Sequence, residues 1–230
     1  MTRPIAKDVN NMFASIAKRY DLANYILSLG LHKSWQSKAL SLLPINKNLK
    51  CLDLCTGTGA LLGDLCKKYD QVVGADFCLE MLEIAKDEFQ EQVNQGLKLD
   101  LEDALNLSYK DNSFDIITVA YGVRNFENLE KGLKEINRVL SDKGIVLIIE
   151  FGQVTGIVKP FFLLYSKFIM PLIGKIVTGN LDAYKYLPQT VNKFPCGKEF
   201  EQILIKNNFK ISKIIKLFFG QTYIYLAEKR

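Results

Sequence analysis

From residue 50 to residue 152 the chain repeats one order: a short apolar run, a turn, then a longer stretch with apolar positions three or four apart. The runs are CLDL (51–54), VVGAD (72–76), LKLDL (97–101), FDIITVAY (114–121) and GIVLIIEF (144–151). Between most of them lie ALLGDLCKKY, CLEMLEIAKDEF and ENLEKGLKEINRVL; in the last, Leu129, Leu133, Ile136 and Leu140 share one helical face. Strands alternating with helices predict βαβ units, a parallel sheet and right-handed crossovers. Residues 197–207 read as one more helix. FKISKIIKLFF (209–219) and TYIYLAEK (222–229) read as two strands closing about Gly220-Gln221. The expectation is an α/β fold with a Rossmann-like, seven-stranded, mostly parallel sheet ending in an antiparallel hairpin.

Two flanking stretches break the alternation. Residues 8–43 are helical in pattern: Val9, Met12, Phe13 and Ile16 recur at helical spacing, as do Trp35, Ala39, Leu42 and Leu43. Gly30 divides the two halves and Pro44 ends them. Residues 157–177, IVKPFFLLYSKFIMPLIGKIV, are oily, with Lys159, Lys167 and Lys175 as the only charges and Pro171 predicted to break any helix. The uncharged runs are too short to span a bilayer. Apolar residues with positive charge alone suit an anionic membrane surface; a core helix or a subunit contact is the rival.

Composition narrows the class without choosing a function. A chain of 230 residues with net charge +5 is one α/β domain by size, and it tolerates acidic partners without requiring one. The cysteines at 51, 55, 66, 78 and 196 are odd in number and form no C-x-x-C, which predicts reduced thiols in a cytoplasmic protein. One histidine and no ligand spacing argue against a metal site. The first residues, MTRPIAKDVNNMF, lack the apolar centre of a signal peptide.

The chemistry concentrates in DLCTGTGA (53–60), where a strand runs into glycines. A phosphate-binding P-loop fails, because Leu62 stands five after Gly57 and no Lys or Arg lies between Cys51 and Cys66. A dinucleotide fingerprint fits at Gly57 and Gly59 but meets Leu62 where a third glycine belongs. The remaining pattern places Asp53 before the glycines and Asp76 at the end of the next strand. Asp76 follows Gly57 by the interval at which a strand-end carboxylate reaches a ribose. Two acids and no cation suit a ligand that is itself cationic and carries ribose hydroxyls but no phosphate. S-adenosylmethionine is such a ligand. Its carboxylate would meet backbone N–H groups where a helix starts, from Ala60. Asp103-Ala104, after the third strand, falls where class I methyltransferases contact adenine.

Several blocks resemble the UbiE/MenG family of quinone-biosynthesis C-methyltransferases. They are MFASIAKRYDLANYILSLGLHKSW, LDLCTGTGALL, GADFCLEML, DNSFDIITVAYGVRNFENLEKGLKEINRVLSDKGIVLIIEFG and YKYLPQTVNKFP. RYDLAN and the GVRN at 122–125 are the most diagnostic. The resemblance implies the class I S-adenosylmethionine-dependent methyltransferase fold with an N-terminal helical cap. It divides one domain into a cap (1–46), a donor-binding core (47–152), a substrate- and membrane-facing insertion (153–196) and a closing helix and hairpin (197–230). It further implies donor contacts at Asp53, Gly57, Thr58, Gly59, Asp76, Asp103, Ala104 and Ala120. The family's loop usually carries an acid where Ala60 stands, and some relatives place Ser at the position of Ala120.

The implied reaction methylates a ring carbon of a demethylated prenyl quinol, demethylmenaquinol by preference, with the ubiquinone-pathway benzoquinol as the alternative. The ring is nucleophilic once a hydroxyl is deprotonated, so placement, deprotonation and loss of a ring proton are the tasks. Arg124 is expected to stabilise the phenolate, with an ion pair to an acid such as Glu150 as the rival. Asn125 is expected to orient a ring oxygen and Tyr20 to touch the quinol or close the lid. His32 is expected to be structural. The partners expected are the quinol and a membrane surface at the inner face, without nucleic acid or metal; a homodimer stays open. A nucleic-acid methyltransferase is disfavoured by Ala120-Tyr121-Gly122-Val123 where a Pro-Pro-aromatic block would stand. A non-catalytic membrane-binding module would take up no S-adenosylmethionine.

Overall fold

The computed structural model describes residues 6–230; the first five residues of the expected cap lie outside the described residues. The sheet contains β1 (Lys50–Leu54), β2 (Gln71–Asp76), β3 (Lys98–Leu101), β4 (Phe114–Ala120), β5 (Leu140–Phe151), β6 (Phe209–Leu217) and β7 (Thr222–Lys229). Their spatial order is β3-β2-β1-β4-β5-β7-β6; the first five run parallel, and β7 pairs antiparallel with both β5 and β6. The order reverses between β1 and β4, so a crevice opens beyond their carboxyl ends, where ligands of open α/β sheets bind.

Neighbouring residues of one strand serve opposite layers, because side chains alternate across a sheet. Ile117 and Val119 of β4 pack with α7 (Leu129–Val139) and α11 (Lys198–Lys206) through Leu133, Ile136, Phe200 and Leu204. Ile116, one position away, joins the opposite layer, where Ala39 and Leu40 of α3 (Leu31–Leu40) meet Leu62 and Leu65 of α4 (Leu62–Lys68). The stripe Leu129, Leu133, Ile136 and Leu140 is buried along its whole length. Asn128 opens α7, its side chain accepting the Lys131 N–H at 3.0 Å. Burying each such aliphatic side chain contributes about 1.5–3 kcal/mol, so this stripe holds β4 and β5 in register behind the crevice.

β5 begins at Leu140, earlier than the expected 144, because Leu140 already pairs with Phe114 across an irregularity between Phe114 and Ile116. α4 begins at Leu62, with turns occupying 57–61, so Ala60 does not open the helix. The cap comprises α1 (Ala6–Ile16), a 3-10 turn at Ala17–Arg19, α2 (Tyr20–Ser28) and α3, while α5 (Leu79–Glu88) and α6 (Gln90–Asn94) link β2 to β3.

Pro171 does not break the oily segment. Residues 156–178 form one helical stretch through α8 (Lys159–Leu164), a π-helical turn at Tyr165–Ile169 and α9 (Met170–Thr178). Pro171 sits in the first turn of α9, just after the π turn, where a missing N–H is least costly. By length and composition alone this stretch could cross a membrane, contrary to the expectation from its short uncharged runs. One face is committed to the cap. Met170 packs with Ile16, Ala23 and Tyr184, the Tyr165 hydroxyl donates to the Leu27 carbonyl at 2.7 Å, and Arg19 donates to the Val177 carbonyl at 2.8 Å. α10 (Leu181–Lys193), which supplies Tyr184, packs beside α9.

Candidate active site

The loop after β1 is shaped by backbone conformations that side chains disfavour. Cys55, Gly57 and Gly59 have φ of +60°, +57° and +93°. A Cβ on Gly57 would meet nothing within 4 Å, so this peptide presents an open face to the crevice. A Cβ on Gly59 would lie 2.5 Å from the Phe89 ring, so Gly59 lets the loop pack tightly and lines no cavity. Asp76 clamps the loop from β2, accepting the Gly57 N–H at 2.8 Å and the Cys78 N–H at 2.9 Å. Burial raises its carboxyl pKa, and these backbone N–H groups oppose the shift.

Asp53 is buried and committed. Its two oxygens accept the hydroxyls of Thr56 and Thr118, each at 2.6 Å. Burial pushes this carboxyl from the ordinary 3.8 to about 6, although both hydroxyl bonds pull it down. Asp53 therefore ties the glycine loop to β4.

Two cavities flank the loop. The smaller, about 90 Å³, is bounded by Asp76, Asp103, Ala104 and Asn125, with apolar walls from Phe77 and Met81. The larger, about 210 Å³, is bounded by Asp21, His32, Asp53 and Thr58, with apolar walls from Phe162 and Leu163. Tyr20, Cys55, Gly57, Ala120 and Tyr121 line both cavities and form the wall between them. The smaller cavity fits S-adenosylmethionine by its donor set. It offers the Asp76 carboxylate, an acid beside a small apolar residue at Asp103-Ala104, and the open face of Gly57.

Arg124 lines neither cavity. Its guanidinium donates to Glu150 at 3.0 Å, with the two side chains only 4% and 0% exposed. The same nitrogen donates to the Tyr121 carbonyl, and the guanidinium lies 5.2 Å from the centre of the Phe151 ring. The Arg124 N–H donates to the second Glu150 oxygen at 3.1 Å. Burial raises the Glu150 carboxyl pKa, while Arg124 and two backbone N–H groups hold it down. The ion pair named as the rival to a phenolate contact is formed, and the guanidinium borders neither cavity. Tyr121 has φ +57°, uncommon for a bulky residue, and it stacks on Phe151 at 4.3 Å. Arg124 positions the ends of β4 and β5 and, through Tyr121, the shared wall.

Asn125 borders the smaller cavity, and its side-chain oxygen accepts the Tyr186 hydroxyl at 3.1 Å. Tyr20 reaches the shared wall from the cap; burial raises its phenol pKa, and nearby Arg124 opposes the shift. Beside it, Asp21 accepts the Thr58 hydroxyl at 3.0 Å, fastening the cap to the glycine loop. Tyr186 and the Asp21–Thr58 bond were missed in the sequence, because each joins residues far apart along the chain. The blocks YKYLPQ and RYDLAN were the available signals.

The sequence profile of the ubiE/COQ5 methyltransferase family matches residues 1–229. The chain belongs to this family. Family members similar to it include a demethylmenaquinone methyltransferase of Bacteroides fragilis, 35% identical over 97% of this chain and 93% of that one. A ubiquinone/menaquinone biosynthesis C-methyltransferase UbiE of Bdellovibrio bacteriovorus is 38% identical over 96% of each chain. Among solved structures, an S-adenosylmethionine-dependent methyltransferase of Thermotoga maritima, described as a possible histamine N-methyltransferase, shares the fold. It has a TM-score of 0.69 at 17% identity, over 96% of this chain and 99% of that one. A second, from Aquifex aeolicus, has a TM-score of 0.62 at 16% identity, over 85% and 89%. At such identities these likenesses speak for the sheet and its connections alone.

Proposed function

We propose that this family member methylates a ring carbon of a demethylated prenyl quinol, demethylmenaquinol first, using S-adenosylmethionine. The wall shared by the two cavities carries the reading: a donor in the smaller and an acceptor ring in the larger would meet at Tyr20, Gly57, Ala120 and Tyr121. Bound S-adenosylmethionine would supply an electrophilic methyl on its sulfonium. Asp76 would hold the ribose hydroxyls, and Asp103 and Ala104 the adenine. Tyr20 and Asp21 close the larger cavity over the ring and keep water from it. Asn125, held by Tyr186, orients the donor side of the wall. Arg124 acts as a positioning residue through Tyr121. Most of the acceleration then comes from placement and fixed dipoles.

The prenyl tail and the membrane belong to the same reading. On the same helical stretch as the cavity-lining Phe162 and Leu163, but outside the cavity lining, Ile157, Phe161 and Ile176 are 84%, 72% and 71% exposed, and Leu164, Phe168 and Leu172 are exposed as well. Lysines alone accompany them in 157–177. Such a face suits the surface of an anionic bilayer from which a prenyl tail passes between Phe162 and Leu163. One chain supplies both cavities, so a homodimer is not required for chemistry. The benzoquinol alternative rests on the name of the Bdellovibrio relative, which covers both pathways. Incubation with labelled S-adenosylmethionine and each demethylated quinol is expected to label the naphthoquinol. Label in tRNA and in neither quinol would overturn the reading.

A further inference from the structure

His32 is the sole histidine of the chain, and it lines the larger cavity. Its Nδ1 lies 2.6 Å from the Ser28 hydroxyl, one turn earlier at the end of α2. That hydroxyl also lies 2.7 Å from the Asn24 carbonyl, to which it donates. A serine hydroxyl has one proton. With that proton spent on Asn24, Ser28 can only accept from His32, so Nδ1 carries the imidazole proton and Nε2 keeps its lone pair. The ring is thereby fixed as a base with one open nitrogen, in the manner of histidines oriented through their second nitrogen.

We propose that His32 is the general base of the methylation, its Nε2 taking the proton from a ring hydroxyl of the quinol in the larger cavity. The inference rests on the quinol reading above. The charged and titratable groups around the ring fit the role. Burial and neighbouring Lys33 hold the imidazole below its ordinary value, so it is neutral at pH 7, and Asp21 from α2 opposes that shift. Asp21, already bound to Thr58, stands on the cavity wall to stabilise the imidazolium once it forms. Tyr25 meets the His32 ring edge-on at 6.4 Å, and the Lys33 ammonium sits 5.8 Å over the Tyr25 ring. Tyr20 and Lys159 border the same cavity.

The proton and electron balance closes. The quinol O–H bond breaks toward Nε2, and the oxygen's electron pair enters the ring. The ring carbon forms a bond to the methyl, and the electrons of the broken S–C bond neutralise the sulfonium. His32 then returns its proton to the ring oxygen as the ring C–H proton leaves to water, so each turnover releases one proton.

Because the chain has one histidine, 15N NMR of the full-length protein reads its tautomer without assignment. A neutral ring protonated at Nδ1 is expected; a ring protonated at Nε2 overturns the inference. His32→Asn keeps a donor for Ser28 and removes the base. Its kcat is expected to fall on the order of 10²–10⁴-fold. The acidic limb of the wild-type pH profile should disappear, added imidazole should restore part of the rate, and S-adenosylmethionine affinity by calorimetry should stay unchanged. Ser28→Ala, a milder change, is expected to lower kcat at constant quinol KM. Wild-type transfer to quinol together with an unaltered His32→Asn rate and limb overturns the base alone. Absence of transfer by the wild type overturns the quinol reading and this inference with it.

Discussion

The smaller cavity rests on the sheet, and the larger one hangs from helices. Around the first, Asp76 at the end of β2 holds the glycine loop, and Arg124 with Glu150 ties the ends of β4 and β5 behind the shared wall. Around the second, the walls come from the cap, from α8 to α10, from the glycine loop and from the loop after β5, and Phe161 and Phe168 of the same helical stretch face solvent outside the lining. The contrast teaches how a two-substrate site divides its labour. In the proposed reading, a polar, water-soluble donor meets a buried acid, Asp76, and backbone held by hydrogen bonds. An oily acceptor, in the same reading, meets helices whose outer apolar residues, among them Ile157 and Phe161, are exposed.

The sharpest way to break that contrast is to remove the buried ion pair. Arg124→Ala leaves Glu150 charged and enclosed, and it is expected to cost about 3–5 kcal/mol of stability. At about 2–4 °C per kcal/mol, the melting temperature should fall by roughly ten degrees. S-adenosylmethionine binding should weaken with it, because Tyr121 loses its anchor. Lost turnover with an unchanged melting curve would return Arg124 to the substrate.

Next in size is the titration of Asp53. Its folded carboxyl titrates near 6, above the ordinary 3.8. The folded chain therefore keeps this proton to higher pH than the unfolded chain does. Stability from this group is full below about 4, falls as pH rises to about 6, and is lost by about 3 kcal/mol beyond. Denaturant unfolding between these pH values should show that slope in the wild type and lose it in Asp53→Asn. Equal slopes would mean the carboxyl is ionised throughout.

Hydrogen bonds such as Asp21–Thr58 and Tyr186–Asn125 join the two regions, and a double-mutant cycle measures the first of them. Asp21→Ala and Thr58→Val are expected to couple by about 1.5–3 kcal/mol, the range for a bond to a charged group. No coupling would leave the cap held by apolar packing alone.

The smallest effect on stability is expected at the exposed apolar face of residues 156–178. Replacing Ile157, Phe161 and Ile176 singly by Ser should change unfolding by within about 0.5 kcal/mol each. Together the three changes should abolish co-sedimentation with vesicles containing anionic lipid. A large stability loss would show that these side chains are packed in solution; retained binding would move the membrane contact elsewhere.

The same contrast explains what could be read from the sequence. The sheet, its order of strands and helices, and the closing hairpin were legible because each rests on local periodicity, down to the stripe Leu129, Leu133, Ile136 and Leu140. The contact of Asp76 with the glycine loop was legible for a similar reason. Asp76 and the glycine loop lie within one βαβ unit, and Gly57 to Asp76 is a fixed interval. The acceptor side was not, because Asp21 with Thr58, Tyr186 with Asn125 and Tyr165 with Leu27 meet only through tertiary packing. Arg124 was placed correctly at the sheet edge, but its direction depended on Glu150, whose burial no local pattern declares. Pro171 misled because a π turn absorbed it, an accommodation invisible in a residue-by-residue reading.

The central claim is that donor and acceptor occupy separate cavities and meet at one wall. A crystal structure of the protein with S-adenosylhomocysteine and a short-tailed demethylated quinol tests it most directly. The account predicts ribose hydroxyls on Asp76, the sulfur at the wall formed by Tyr20, Gly57 and Tyr121, and the quinol ring across that wall with its tail toward Phe162 and Leu163. A sulfur remote from that wall, or a ring bound outside the larger cavity, would contradict it.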